Sequence, residues 1–131
     1  MSRLLLVVCV LAVGALIVFT TDAQPQPPAG RAVMRGLIVE RFGSGWLGRE
    51  MVCIADRESG LDPRAVNWRD PHVNGRGSFG LFQIGRVHVH YVGGDWRRLL
   101  VPTVNVRVAW QLYRAGRRRG ESGLGPWGGG C

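Results

Sequence analysis

Two cysteines constrain this chain more than any other residues. Cys53 stands near its middle and Cys131 is its last residue, while the third, Cys9, lies inside an apolar leader. Arg3, the charge-free run from Leu4 to Phe19 and the small-residue site Thr21-Asp22-Ala23 have the layout of a secretory signal peptide, so residues 1–23 are expected to be removed. An uncleaved anchor is the alternative, but sixteen apolar residues fall just short of a comfortable membrane span. In an exported chain the remaining even pair of cysteines reads as a disulfide tying the last residue to the segment around Cys53; two free thiols are the alternative. Residues 24–30, Gln-Pro-Gln-Pro-Pro-Ala-Gly, form a proline-rich linker with nothing to pack. Residues 31–131 then make one domain of about 100 residues, which can bury only a thin core. Closing so long a loop favours the folded state by about 3–5 kcal/mol in the chain-entropy model.

Within that domain the apolar spacing is mostly helical. Val33, Met34, Leu37, Ile38 and Phe42 predict a helix over 31–42, stopped by Gly43-Ser44-Gly45. Ser44 is the expected cap of a second helix over 46–58, with Trp46, Leu47, Met51, Ile54 and Ala55 on one stripe. Gly60 and Pro63 end it, and Asp62-Pro63 opens a short helical turn. Residues 68–78, rich in Asp, Pro, His, Asn and Gly, have loop or short-hairpin composition. Residues 80–84 are expected to begin a further helix capped by Ser78, 86–95 to be irregular, and 96–100 to make one helical turn. The clearest helix runs over 101–118 with Pro102 near its start. The glycine-rich tail has no periodicity and orders only if Trp127 and Cys131 tie it down.

Charge narrows the class of partner. All seventeen basic residues are arginine, against nine acidic ones, a net charge of +8. Such a field favours anionic partners. Export argues against intracellular nucleic acid and leaves the anionic polymers of the cell envelope as the natural counter-charge. A monomer with no stable membrane insertion after signal cleavage is expected.

The chemistry centres on Glu58, in Cys53-Ile-Ala-Asp-Arg-Glu-Ser-Gly60, followed by Gly77-Ser-Phe-Gly-Leu-Phe-Gln-Ile84. At the end of a helix the dipole disfavours a negative charge, which suits a group that must carry a proton to a glycosidic oxygen. A surface glutamate paired with a nearby arginine is the plainer alternative. Arg57-Glu-Ser-Gly60, Pro63-Arg-Ala-Val-Asn67, the Gly77–Ile84 block, Pro102-Thr-Val-Asn105 and Gly125-Pro-Trp127 together resemble the lysozyme-like superfamily, and most closely soluble lytic transglycosylases and goose-type lysozymes. The resemblance covers about residues 51–127. It implies an α-rich (α+β) fold with a cleft and a short hairpin region, no cofactor, and cleavage of the β-1,4 bond between N-acetylmuramic acid and N-acetylglucosamine in peptidoglycan. By motif position Glu58 is then the general acid, and Ser78, Phe79, Gly80, Leu81 and Gln83 line the cleft. Trp127 closes it. The tyrosine segment that transglycosylases carry after their long helix has no secure counterpart, since Arg114-Ala-Gly116 follows Tyr113.

Glycoside hydrolysis ordinarily requires two carboxyl groups, whereas a transglycosylase uses one glutamate because the substrate's own 6-hydroxyl attacks. Asp70, in the polar loop, is the best candidate for a second carboxylate; its other reading is a turn aspartate before Pro71. Trp68, Trp96 and Trp127 are candidates for stacking on sugar rings or for the core, and Trp110 for the core. His72, His88 and His90 lack any metal-binding pattern, and no metal is expected.

Overall fold

A computed structural model describes residues 30–70 and 76–131. The expected signal peptide, nearly all of the linker and His72 lie outside the described residues. Three helices dominate: α1 (Arg31–Phe42), α2 (Trp46–Ser59) and α3 (Pro102–Arg118). Between α2 and α3 lie three two-residue strands, β1 (Val66–Asn67), β2 (Ser78–Phe79) and β3 (Ile84–Gly85), followed by 3₁₀ turns over Arg86–Val92 and Trp96–Leu100; a last 3₁₀ turn, Gly125–Trp127, lies in the tail. The strands form one antiparallel sheet in the order β1-β2-β3, with Val66 opposite Phe79 and Phe79 opposite Ile84. The architecture is α-rich α+β. Among the described residues no helix is long and apolar enough to cross a membrane.

The α1 helix buries Met34, Ile38 and Phe42, one residue per turn on a single face, against α2 and α3. The corner between α1 and α2 is tighter than Ser44 capping would make it. The N-cap is Gly45, without a side-chain cap, and a Cβ on Gly48 would lie 1.7 Å from the Gly43 carbonyl oxygen. That contact selects glycine inside a helix, where it costs about 1 kcal/mol relative to alanine. Trp46, placed by periodicity on the buried stripe, is 61% exposed, and Met51, Val52, Ile54 and Ala55 carry the α2 contribution to the core. Gly60 closes α2 in the left-handed region with φ 65°. After it Asp62 and Pro63 form a turn, not a helix: Asp62 Oδ1 accepts from the Arg64 amide at 2.8 Å.

The helix expected over 80–84 is absent. Ser78 is not a cap but a strand residue, and residues 80–83 form the turn that joins β2 to β3. The cause is backbone geometry, since Gly80 (φ 74°) and Gln83 (φ 44°) both sit in the left-handed region, which a right-handed helix excludes. Gln83 then completes the hairpin with its own side chain. Its amide nitrogen donates to Gly80 O at 3.0 Å and Ala65 O at 3.2 Å, and its amide oxygen accepts from Ser78 Oγ at 2.9 Å.

Asn105 on α3 holds this turn from below. It is fully buried; Nδ2 donates to Phe79 O (2.9 Å) and Leu99 O (2.7 Å), and Oδ1 accepts from the Phe82 amide (3.0 Å). A Cβ on Gly80 would come within 2.3 Å of both Asn105 Nδ2 and Leu99 O. Gly80 is therefore the residue that lets the hairpin sit against α3. Phe42, Trp110 and Tyr113 form an aromatic cluster beside it, Trp110 stacked on Tyr113 at 5.7 Å and edge-on to Phe42 at 5.3 Å.

Candidate active site

The tail is ordered by the two residues that the sequence singles out. Cys53 and Cys131 form a disulfide, and the indole nitrogen of Trp127 donates to Phe82 O at 2.9 Å. The Cys131 amide also donates to Glu50. Thus anchored, Gly125–Gly128 becomes one wall of a cleft of about 530 Å³. The rest of its lining comes from the end of α2 (Glu58), the polar loop (Asp70), the hairpin (Gln83, Ile84, Gly85), the following 3₁₀ turn (Val87, His88) and α3 (Leu112). This volume lies within the roughly 300–1,000 Å³ of clefts that accept small-molecule ligands. A smaller hollow of about 330 Å³ between α1 and α3, lined by residues such as Glu40, Arg41 and Thr103, is remote in sequence from Glu58.

Glu58 occupies the last turn of α2, and its side chain is 26% exposed. Its neighbour Ser59 anchors that helix end to the hairpin, since Ser59 Oγ lies 2.8 Å from Leu81 O and 3.0 Å from Ala55 O. One Glu58 oxygen is occupied by an ion pair: Arg57 Nη2 is 3.1 Å and Nε 3.3 Å from Oε1. The arginine pairing of the plainer expectation is present, but Glu58 is half-buried rather than a surface residue and lines the cleft. Among the described residues, Oε2 takes part in no hydrogen bond.

Of the other residues expected at the cleft, Asp70, Gln83 and Trp127 line it with Glu58. Ser78, Phe79, Gly80 and Leu81 do not. All four are buried, Phe79 and Leu81 completely, and they form the packing layer behind the hairpin. The motif is apolar because its side chains point into the core. Gln83 lines the cleft but with both amide N–H groups committed to backbone carbonyls, which leaves only its oxygen with spare capacity. Trp96 stacks on Phe79 at 4.7 Å, and Trp68, 51% exposed, packs edge-on against both. Tyr113 belongs to the aromatic cluster with Phe42 and Trp110 and not to the cleft lining.

His88, weighed in the sequence only as a metal ligand, and Arg57, quoted only as part of the Glu58 motif, are site residues to which the sequence assigns no role in the cleft. His88 is partly buried in the cleft lining, and its pKa falls below 6.5, first through desolvation and then through repulsion from His90. The imidazole is accordingly neutral at pH 7. No spacing signal distinguishes it from an exposed histidine. Among the described residues no three His, Cys, Asp or Glu side chains converge as a metal site would require. Comparison with protein-family models, with curated proteins and with solved structures gives no match.

Proposed function

We propose that this protein is an exported, lysozyme-like enzyme that cuts peptidoglycan glycan strands at the β-1,4 bond between N-acetylmuramic acid and N-acetylglucosamine, with Glu58 as the acid. The observation that carries this reading is that Glu58 and Asp70 line one cleft whose wall includes Trp127. The protonated Glu58 carboxyl donates to the bridging oxygen as the C1–O bond of the muramic acid breaks, giving an oxocarbenium-like centre. In the transglycosylase course the muramic acid 6-hydroxyl attacks C1, its proton passes to the Glu58 carboxylate, and a 1,6-anhydro end results. The net charge of +8 suits an anionic envelope polymer near the substrate.

A second reading, hydrolysis, is favoured by Asp70 lining the same cleft, since an activated water requires a second carboxylate. Product chemistry separates the two. Wild-type protein, Glu58→Gln and Asp70→Asn are incubated with purified peptidoglycan and the released muropeptides are identified by mass spectrometry. Glu58→Gln is expected to lose roughly 10²–10⁴-fold in rate, the usual contribution of a positioned acid. Anhydro ends with Asp70→Asn still active mark a transglycosylase; reducing ends with Asp70→Asn inactive mark a hydrolase. Equal release by wild type and Glu58→Gln, or none by either, sinks the catalytic reading and leaves a glycan-binding module.

A further inference from the structure

We infer that Arg57 is a positioning residue for the Glu58 carboxyl, and that its guanidinium couples the C-terminal wall of the cleft to that acid. The inference rests on the glycan-cleaving reading of the site. Adjacent residues on a helix do not face each other. Arg57 and Glu58 nevertheless meet through two contacts, Nη2 at 3.1 Å and Nε at 3.3 Å from Oε1. The tail explains the bend of the arginine. Nη2 also donates to Trp127 O at 2.7 Å, and Nη1 donates to Gly130 O at 3.2 Å. Two tail carbonyls and one carboxylate oxygen thus converge on a single planar fork of donors, a task that guanidinium geometry suits and a point-charge ammonium does not.

Two consequences follow for the acid. With Oε1 pinned, rotation of the glutamate side chain is curtailed and Oε2 becomes the oxygen available to carry the transferred proton. After proton donation the new carboxylate already has a counter-charge beside it, the Arg57 guanidinium. The wall itself has ties that do not involve Arg57: the Cys53–Cys131 disulfide, the Trp127 indole bond to Phe82 O and the Cys131 amide bond to Glu50. An Arg57 variant therefore retains its tail, and a loss of activity reports on the acid.

The test compares wild type, Arg57→Lys and Arg57→Ala on purified peptidoglycan, with melting temperature as a control on folding. Arg57→Ala is expected to lower kcat by about 10- to 100-fold, the scale of a misplaced reacting group, with KM changed less than about threefold. Arg57→Lys should recover part of the loss, and free guanidinium ion at millimolar concentration should restore kcat to Arg57→Ala. Side-chain ³J couplings of Glu58 supply a readout independent of turnover: one rotamer in wild type, averaging in Arg57→Ala. An unchanged kcat, a raised KM at constant kcat, a loss accounted for by unfolding, or unchanged couplings overturns the inference. Activity retained by Glu58→Gln instead refutes the catalytic reading, and the couplings then still decide whether Arg57 orders the carboxyl.

Discussion

Asn105 gives the sharpest quantitative expectation, because its side chain satisfies three buried backbone groups in three different segments. Replacing it with alanine leaves the Phe82 amide and the Leu99 carbonyl without their partner, while the Phe79 carbonyl loses one of two bonds and keeps its ladder pairing with Ile84. Each such group costs about 1–3 kcal/mol when left unsatisfied. The space vacated by the carboxamide approaches the roughly 30 Å³ that a water occupies in the liquid, so one entering water offsets part of the penalty. The lower end of the range then applies, about 2–4 kcal/mol in total, against about 5–15 kcal/mol for a whole domain. Aspartate makes the more diagnostic substitution. It keeps an acceptor for the Phe82 amide but turns a carboxylate toward two carbonyl oxygens in a fully buried position, and should destabilise at least as much as alanine. Urea unfolding followed by tryptophan fluorescence and linear extrapolation measures both. An alanine cost under about 1 kcal/mol, or an aspartate variant more stable than the alanine one, would refute the claim that these bonds fix the hairpin on α3.

Two further expectations concern the walls of the cleft. Reducing the Cys53–Cys131 bond, whose ends are 78 residues apart, is expected to destabilise the fold by about 4–5 kcal/mol in the chain-entropy model and to slow cleavage by freeing Gly125–Gly128; an unchanged melting temperature under reductant would contradict this. His88 predicts a pH dependence of stability. Because its folded pKa lies below 6.5, the unfolded chain takes up the proton first as pH falls, so stability is retained above about 6.5 and lost progressively below it, until the folded-state value is passed. Denaturation curves across this window should flatten in His88→Gln, and an identical slope in the variant would remove His88 as the cause.

The helices were legible in the sequence where the apolar period was long and its ends punctuated. The spacing over 31–42 and 101–118 and the glycine after Ser59 locate α1, α3 and the end of α2 within a residue or so. The hairpin was misread for a physical reason. A short, mostly apolar run such as Gly80–Ile84 has the same composition in a helix as in a buried turn, and its left-handed φ values arise from packing on Asn105 and from the Gln83 side chain. The same ambiguity places Ser78, Phe79, Gly80 and Leu81 at the cleft when they form its backing.

By itself, the sequence determined the positions of Glu58 on its helix and of Cys53 and Cys131 in the chain, because capping and periodicity are local properties. Only the tertiary structure decided what faces Glu58. Asp70, Gln83, His88 and Trp127 reach it from separate segments, and Arg57 bends toward it because the anchored tail offers two carbonyls there. Such convergence depends on where the disulfide and the Asn105 bonds place each segment, and spacing along the chain carries no record of it.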